Sequence, residues 1–196
     1  MVTALRNLAL AAILAVVALG TSARGAESYS VDPVHSSVSF GISHAGISNI
    51  HGRFNDFSGT FVIDKDDLSK SSFALDIKVE SVDTNNAKRD EHLRATDYFN
   101  AKQFPTLSFK STKVKATDAG FEVTGDLTLH GVTKSVSMTL QGGHKVVEFP
   151  KGTPRVGVTS VVTIKRSEFG MTTELGALGD EVYIVVGLEA AKKKSE

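Results

Sequence analysis

Six histidines, His35, His44, His51, His92, His130 and His144, are the side chains best suited to metal or acid–base chemistry in this chain. None stands four residues from another, the helical spacing that points two imidazoles at one zinc ion. His44, His51 and His130 fall near strand ends or turns. Cysteine is absent, which removes disulfides, thiolate metal sites and a thiol nucleophile. There is no G-x-S-x-G elbow to expose a serine nucleophile. Gly157, Gly170, Gly176 and Gly179 lack the spacing of a phosphate cradle. The carboxylates lie mostly on the polar side of alternating segments, where water solvates them. Neither a metal site nor a catalytic constellation is expected, and a binding role is.

The aromatic residues are more informative. The chain has 11 Phe, 3 Tyr and no Trp. Phe40, Phe57, Phe61, Phe73, Phe109 and Phe121 all fall on the apolar parity of segments with a period of two. Val38, Phe40 and Ile42 alternate with Ser37, Ser39, Gly41 and Ser43. Phe73, Leu75, Ile77 and Val79 alternate with Ala74, Asp76, Lys78 and Glu80. The same period runs through 57–63, 107–109, 121–129, 136–140, 156–164 and 182–188. Turn signals at Asp64–Asp67, Asp118–Gly120, Gly131–Lys134 and Gly142–Gly143 separate these segments, giving about eight strands. One apolar face per strand predicts an antiparallel sheet rolled around that face, which also removes exposed edges. A two-sheet sandwich fits the same periodicity. In an eight-stranded barrel, side chains either just fill the interior or leave room for one ligand. Small residues on the inward parity, Gly59, Ser111, Gly125 and Ser160, would leave space. Spacing alone keeps both a lipid-like pocket and a filled core open.

One segment departs from the alternation. Thr84–Asn100 offers Asn and Thr as N-caps and then a helix-favouring run, predicting a short helix over about 86–95 across one barrel mouth. Leu93 would face inward, Tyr98 and Phe99 would follow the helix, and Asp90 and Arg94 have the favourable i,i+4 order. The stretch from Gly142 to Gly157, with Pro150 and Pro154, reads as a long loop.

Length and composition fit one globular domain. The chain has 196 residues, 41% hydrophobic, with Lys+Arg and Asp+Glu at 22 each, so a nucleic-acid partner is not expected. Arg6, the apolar run Leu8–Leu19 and the small residues after it read as a signal peptide over 1–25, cleaved near Ala23 or Gly25. The run is too short for a membrane-spanning helix, which needs about 20 apolar residues. The folded domain is expected over 26–191, with 192–196 as a frayed tail.

The runs YSVDPVHSSVSFGISHAG, IHGRFNDFSGTFVID, KRDEHLRATDYFNAKQFPTLSF, GDLTLHGVTKSVSM, IKRSEFGM and GDEVYIVVGLEA, in this order over nearly all of the mature chain, are similar to the YceI-like, polyisoprenoid-binding proteins. Ser135 departs from the pattern, since the family often has Pro after the Lys of GVTK, a change expected to affect only a turn. The resemblance implies an all-β, single antiparallel eight-stranded, lipocalin-like barrel with the helix across one end. It implies a periplasmic or secreted protein that stores or transports a long isoprenoid chain, of polyprenyl or isoprenoid-quinone type, and needs no cofactor beyond that ligand. By motif position the lipid tail would meet Phe40, Ile42, Phe57, Phe61, Leu75, Ile77, Phe109, Leu127, Leu129, Met138 and Ile184. The head group or mouth would involve His44, Arg89, His92 and Arg166, with a structural ion-pair set of Arg89, Asp90 and Arg166 as the competing reading. A transient membrane or membrane redox-protein contact and a homodimer complete the expected partners. The alternative is a filled-barrel interaction or stress-response module without lipid.

Overall fold

The computed structural model describes residues 25–193; residues 1–24, in the stretch where a signal peptide is expected, and residues 194–196 lie outside the described residues. Twelve strands follow in order: β1 (Ala26–Val31), β2 (Ser37–His44), β3 (Ser48–Phe54), β4 (Phe57–Asp64), β5 (Ser72–Lys78), β6 (Val82–Asp83), β7 (Thr106–Thr117), β8 (Gly120–Leu129), β9 (Val132–Gly142), β10 (Val147–Glu148), β11 (Pro154–Lys165) and β12 (Leu178–Lys192). The single α-helix among the described residues, α1 (Ala87–Arg94), falls between β6 and β7.

Pairing closes eight strand paths into a ring. Neighbours run β11-β9-β8-β7-β5-β4-β1-β12, and β12 pairs back onto β11, every contact antiparallel. Three of the remaining strands extend these paths. β2 continues β1 along β12, β3 precedes β4 and pairs with β2, and β6 follows β5 and pairs with β3. The breaks have local causes. Between β1 and β2 a 3-10 turn at Pro33–His35 is capped by Asp32, whose carboxylate accepts from the Val34 N–H. The other two breaks lie side by side, joined by hydrogen bonds from Asn55 N to Ser81 O and from Lys78 N to Asp56 O. The closed ring decides for the barrel over the sandwich.

β8 shows why the sequence makes this wall. Phe121, Val123, Gly125, Leu127 and Leu129 are buried, and the residues between them are exposed or half-buried. Its hairpin to β9 turns on only His130 and Gly131, with φ of 53° and 75°. Two consecutive positive φ values make the tight turn whose twist matches the flanking strands, and Gly adopts the second without strain.

The structure corrects four local expectations. The stretch read as a long loop is a hairpin: β10 pairs with the start of β11, and Pro154 opens that strand, where its missing N–H does no harm. β12 runs through Lys192, one residue into the segment read as tail, because Lys192 pairs with Tyr29. Ser135 lies within β9 opposite Asp126, in a strand and not a turn. Asp90 does not pair with Arg94: it turns inward to Thr84, while Arg94 reaches the Glu80 and Val82 carbonyls.

The interior is packed solid at one end. Tyr29, Phe61, Ile63, Phe121, Val123 and Val158 are fully buried there. Phe61, Phe73 and Phe121 stack edge to face, with centroids 5.3 and 5.2 Å apart. Glu27 anchors the outside of this end. The Lys192 and Lys65 ammonium groups and the Tyr29 hydroxyl hold its carboxyl down to about 2. Burial, then the bond to Glu27, pushes the Tyr29 phenol up.

Candidate functional site

Away from that plug, the same inward parity surrounds a hollow. A cavity of about 480 Å³ lies inside the barrel, within the range that holds ordinary ligands. Phe61, Phe73, Leu140 and Val158, from the packed end, are part of its wall. Its sides are Phe40, Ile42 and Ile50 from β2 and β3, Leu75 and Ile77 from β5, Leu107 and Phe109 from β7, Leu127 and Leu129 from β8, Val136 and Met138 from β9, Val162 and Ile164 from β11, and Val182, Ile184 and Val186 from β12. Many of these are only half-buried, as apolar side chains must be when they face a space and not one another. The wall residues of β12 span Leu178 to Leu188, so at roughly 3.3 Å per residue and a strand tilt near 40° the hollow is on the order of 25 Å long. Gly125 contributes indirectly: a Cβ there would come within 2.5 Å of the Phe109 ring, so the glycine seats that ring against the wall. Gly59, Ser111 and Ser160, also expected to leave space, are not part of the cavity wall.

One end of the hollow is capped. Leu93 of α1, followed by Tyr98 and Phe99, Met171 and Glu174 from the segment before β12, and Leu178 at the start of β12 close over it. The cap is tied down by hydrogen bonds. The Asn86 side chain caps α1 at the Arg89 N–H. Buried Asp90 accepts from Thr84 N at 2.8 Å and Thr84 Oγ1 at 2.5 Å. Arg89 donates Nε to Thr84 Oγ1 and Nη2 to Thr84 O, both at 2.7 Å. Tyr98 OH donates to Glu174 at 2.9 Å, and Thr173 Oγ1 donates to Asp97 O at 2.6 Å. Burial, then the bond to Glu174, pushes the Tyr98 phenol up.

Arg166 is the strap of the rim. It is 4% exposed, and its guanidinium donates to four backbone carbonyls, of Met171, Thr173, Leu178 and Gly179. Those bonds fold the 171–179 segment over the barrel. Arg166 also lines the cavity, yet its donors are engaged by protein, so the structural reading fits it better than the head-group one. The competing ion-pair set takes a different form, since Thr84 relays Arg89 to Asp90 through hydrogen bonds and Arg166 acts separately.

Fourteen of the fifteen site positions named from sequence lie on the cavity wall: Phe40, Ile42, Phe61, Leu75, Ile77, Phe109, Leu127, Leu129, Met138 and Ile184 for the tail, and His44, Arg89, His92 and Arg166 at the mouth. Phe57 is the correction. It opens β4 opposite Ile77 and is buried in the core, and it is not among the residues that line the cavity. Ile50, Phe54, Met171, Glu174 and Leu178 went unnamed. The shared parity of Ile50 and Phe54 within their own strand was available as a signal; the 171–178 segment has no regular period to find. Among the histidines, His51 meets the Tyr183 hydroxyl at 3.0 Å on the outside. Asp32, His35 and Glu189 bring donor atoms within 4.8 Å of one another, outside the cavity. The Arg155 guanidinium already bridges both carboxylates of that trio, holding Asp32 well below the usual carboxylate range together with His35.

A profile of the YceI-like domain matches residues 29–190. The chain belongs to the YceI-like family. It is 37% identical over 185 residues to Protein YceI of Salmonella arizonae, covering 92% of this chain and 95% of that protein. It is 35% identical over 191 residues to a UPF0312 protein of Pectobacterium atrosepticum, covering 95% and 97%. Among solved structures, the Campylobacter jejuni YceI protein superposes with a TM-score of 0.68 at 32% identity, covering 76% of this YceI-like chain and 88% of that one. BcnA of Burkholderia cenocepacia gives 0.71 at 27%, covering 81% and 98%. A polyisoprenoid binding domain from Saccharophagus degradans gives 0.64 at 19%, covering 85% and 99%, a likeness of fold.

Proposed function

We propose that this YceI-like protein binds a long-chain isoprenoid lipid, of polyprenyl or isoprenoid-quinone type, inside its barrel and stores or carries it in the periplasm after removal of the leader. The observation that carries this reading is the elongated hollow with an almost wholly apolar wall. Each methylene moved from water into it gains roughly 0.8 kcal/mol, so a long tail binds without specific polar contacts even after its ordering cost. The polyisoprenoid binding domain of Saccharophagus degradans, which shares the fold, supports the ligand class. Polar groups at the capped end, His44, His92 and the Tyr98–Glu174 pair, are suited to a small polar head. The YceI-like family match and the polyisoprenoid binding neighbour support a binding role over an enzymatic one. The hollow counts against a filled-barrel module.

Mass spectrometry of an organic extract of the native periplasmic protein tests the reading, with a polyisoprenoid in stoichiometric amount as the expected result. Phe109→Asp and Leu129→Asp place a carboxylate on the wall and abolish retention, whereas Lys78→Ala on the outer face leaves it unchanged. Equal retention in all three variants, or an extract empty of lipid, overturns it.

A further inference from the structure

The wall of the barrel is not evenly sewn. β11 pairs with β12 over eleven consecutive residue pairs, from Arg155–Ala191 to Lys165–Glu181, and β8 pairs with β9 over ten. Between β9 and β11 the ladder holds only Val158–Gly142 and Thr159–Gln141. Past those pairs β9 runs on from Leu140 back to Val132, and β11 from Ser160 to Lys165, with no ladder joining them. The far end is shut again by the β8–β9 turn, where His130 Nδ1 stands 3.3 Å from the Phe169 carbonyl. The result is a seam in the side of the barrel without a backbone ladder, here termed the window. Met138 and Val136 on one side, and Val162 and Ile164 on the other, are cavity wall.

Three further observations mark this seam. Backbone groups without a ladder must meet water or another polar partner, so an apolar interior here has a polar rim. Of three buried side-chain polar atoms without a partner among the described residues, His130 Nε2 and Ser160 Oγ lie at the two ends of the window. Lys134 is exposed although its register with Leu127 places it on the inner face. An inward lysine on an unpaired edge is a device that stops another strand from adding to it, which disfavours a peptide partner for this seam. The capped end is the opposite case, since the straps from Thr84, Asp90, Arg166, Thr173 and Tyr98 all hold it shut.

We propose that lipid passes into and out of the cavity sideways, through the window between β9 and β11, while the α1 cap stays closed. This rests on the lipid-binding reading above and adds the route. A single-tailed amphiphile suits it: the tail slides between two edges that carry no ladder to break, and the small polar head hydrogen-bonds to the rim as it passes on its way to the capped end.

The absence of cysteine makes the test clean. Continuing the β9–β11 register puts Ser137 opposite Thr163, both on the outer face and exposed. The pair Ser137→Cys/Thr163→Cys is bridged with a reductant-cleavable bis-maleimide. A second pair, Asp97→Cys/Thr173→Cys, is bridged across the cap. Transfer of tritiated geranylgeraniol is followed from phosphatidylcholine vesicles to delipidated protein. Bridging the window abolishes transfer, cleavage of the bridge restores it, and bridging after loading traps the probe. Bridging the cap leaves transfer as in the unbridged protein. Undiminished transfer with the window bridged, or loss of transfer with the cap bridged, overturns the route. No uptake by the unbridged, cysteine-free protein overturns the lipid-binding reading itself, and the route with it.

Discussion

Truncating Phe121 and Phe109 to alanine should have opposite consequences, although both sit on the inward parity of neighbouring strands. Phe121 is 0% exposed and locked against Phe73 in the packed end. Its removal leaves a void in material that relaxes only partly, a loss of about 3–5 kcal/mol. For a domain of this size that lowers Tm by roughly 10 °C. Phe109 faces the hollow and is half-buried, so its removal enlarges a space that already exists. Only part of its transfer free energy is then at stake, about 1 kcal/mol in the lipid-free protein. Binding is affected the other way round. Loss of the Phe109 ring removes wall from the tail and weakens retention by about tenfold, equivalent to 1.4 kcal/mol, while Phe121→Ala keeps affinity. Urea unfolding of the delipidated proteins gives the first quantity and titration with an isoprenoid probe the second. Equal destabilisation by the two truncations would show the interior to be solid at Phe109 and refute the division into plug and hollow.

Three further outcomes follow from the same geometry. Arg166→Met strips the 171–179 segment of four hydrogen bonds and should cost at least 3 kcal/mol in urea unfolding and speed proteolysis within that segment; an unchanged cleavage pattern argues against the strap. Glu27 has its folded carboxyl lowered from 4.5 to about 2, so its contribution is complete above pH 4.5 and is lost as pH falls towards 2; Glu27→Gln should be less stable at pH 7 and flatter across that window, and an acid limb of unchanged slope counts against the assignment. Lys134→Val removes the charge from the unladdered edge of β9 and should promote oligomers in light scattering; a protein that stays at the size of the parent shows that the edge needs no guard.

The alternation of apolar and polar residues determined eight strand paths and the face each presents inward, because these depend on the period of side-chain direction along one segment, and the N-cap and helix-favouring residues after Thr84 determined the helix found over Ala87–Arg94. β1 and β3 escaped that reading: AESYSV and SNIHGRF carry few apolar residues, and the partners that hold them, β4 and β12 for one and β2 and β6 for the other, are supplied from elsewhere in the chain. Only the tertiary structure decided which inward residues meet and which stand apart. Phe57 and Phe61 share a strand and a parity, yet one belongs to the packed core alone and the other also to the cavity wall. A side chain in a core and one facing an empty apolar cavity avoid water equally, so the sequence marks them alike. Which of them meets the cavity, and the ladder that β9 and β11 abandon after two pairs, are set by the closure of all eight paths together.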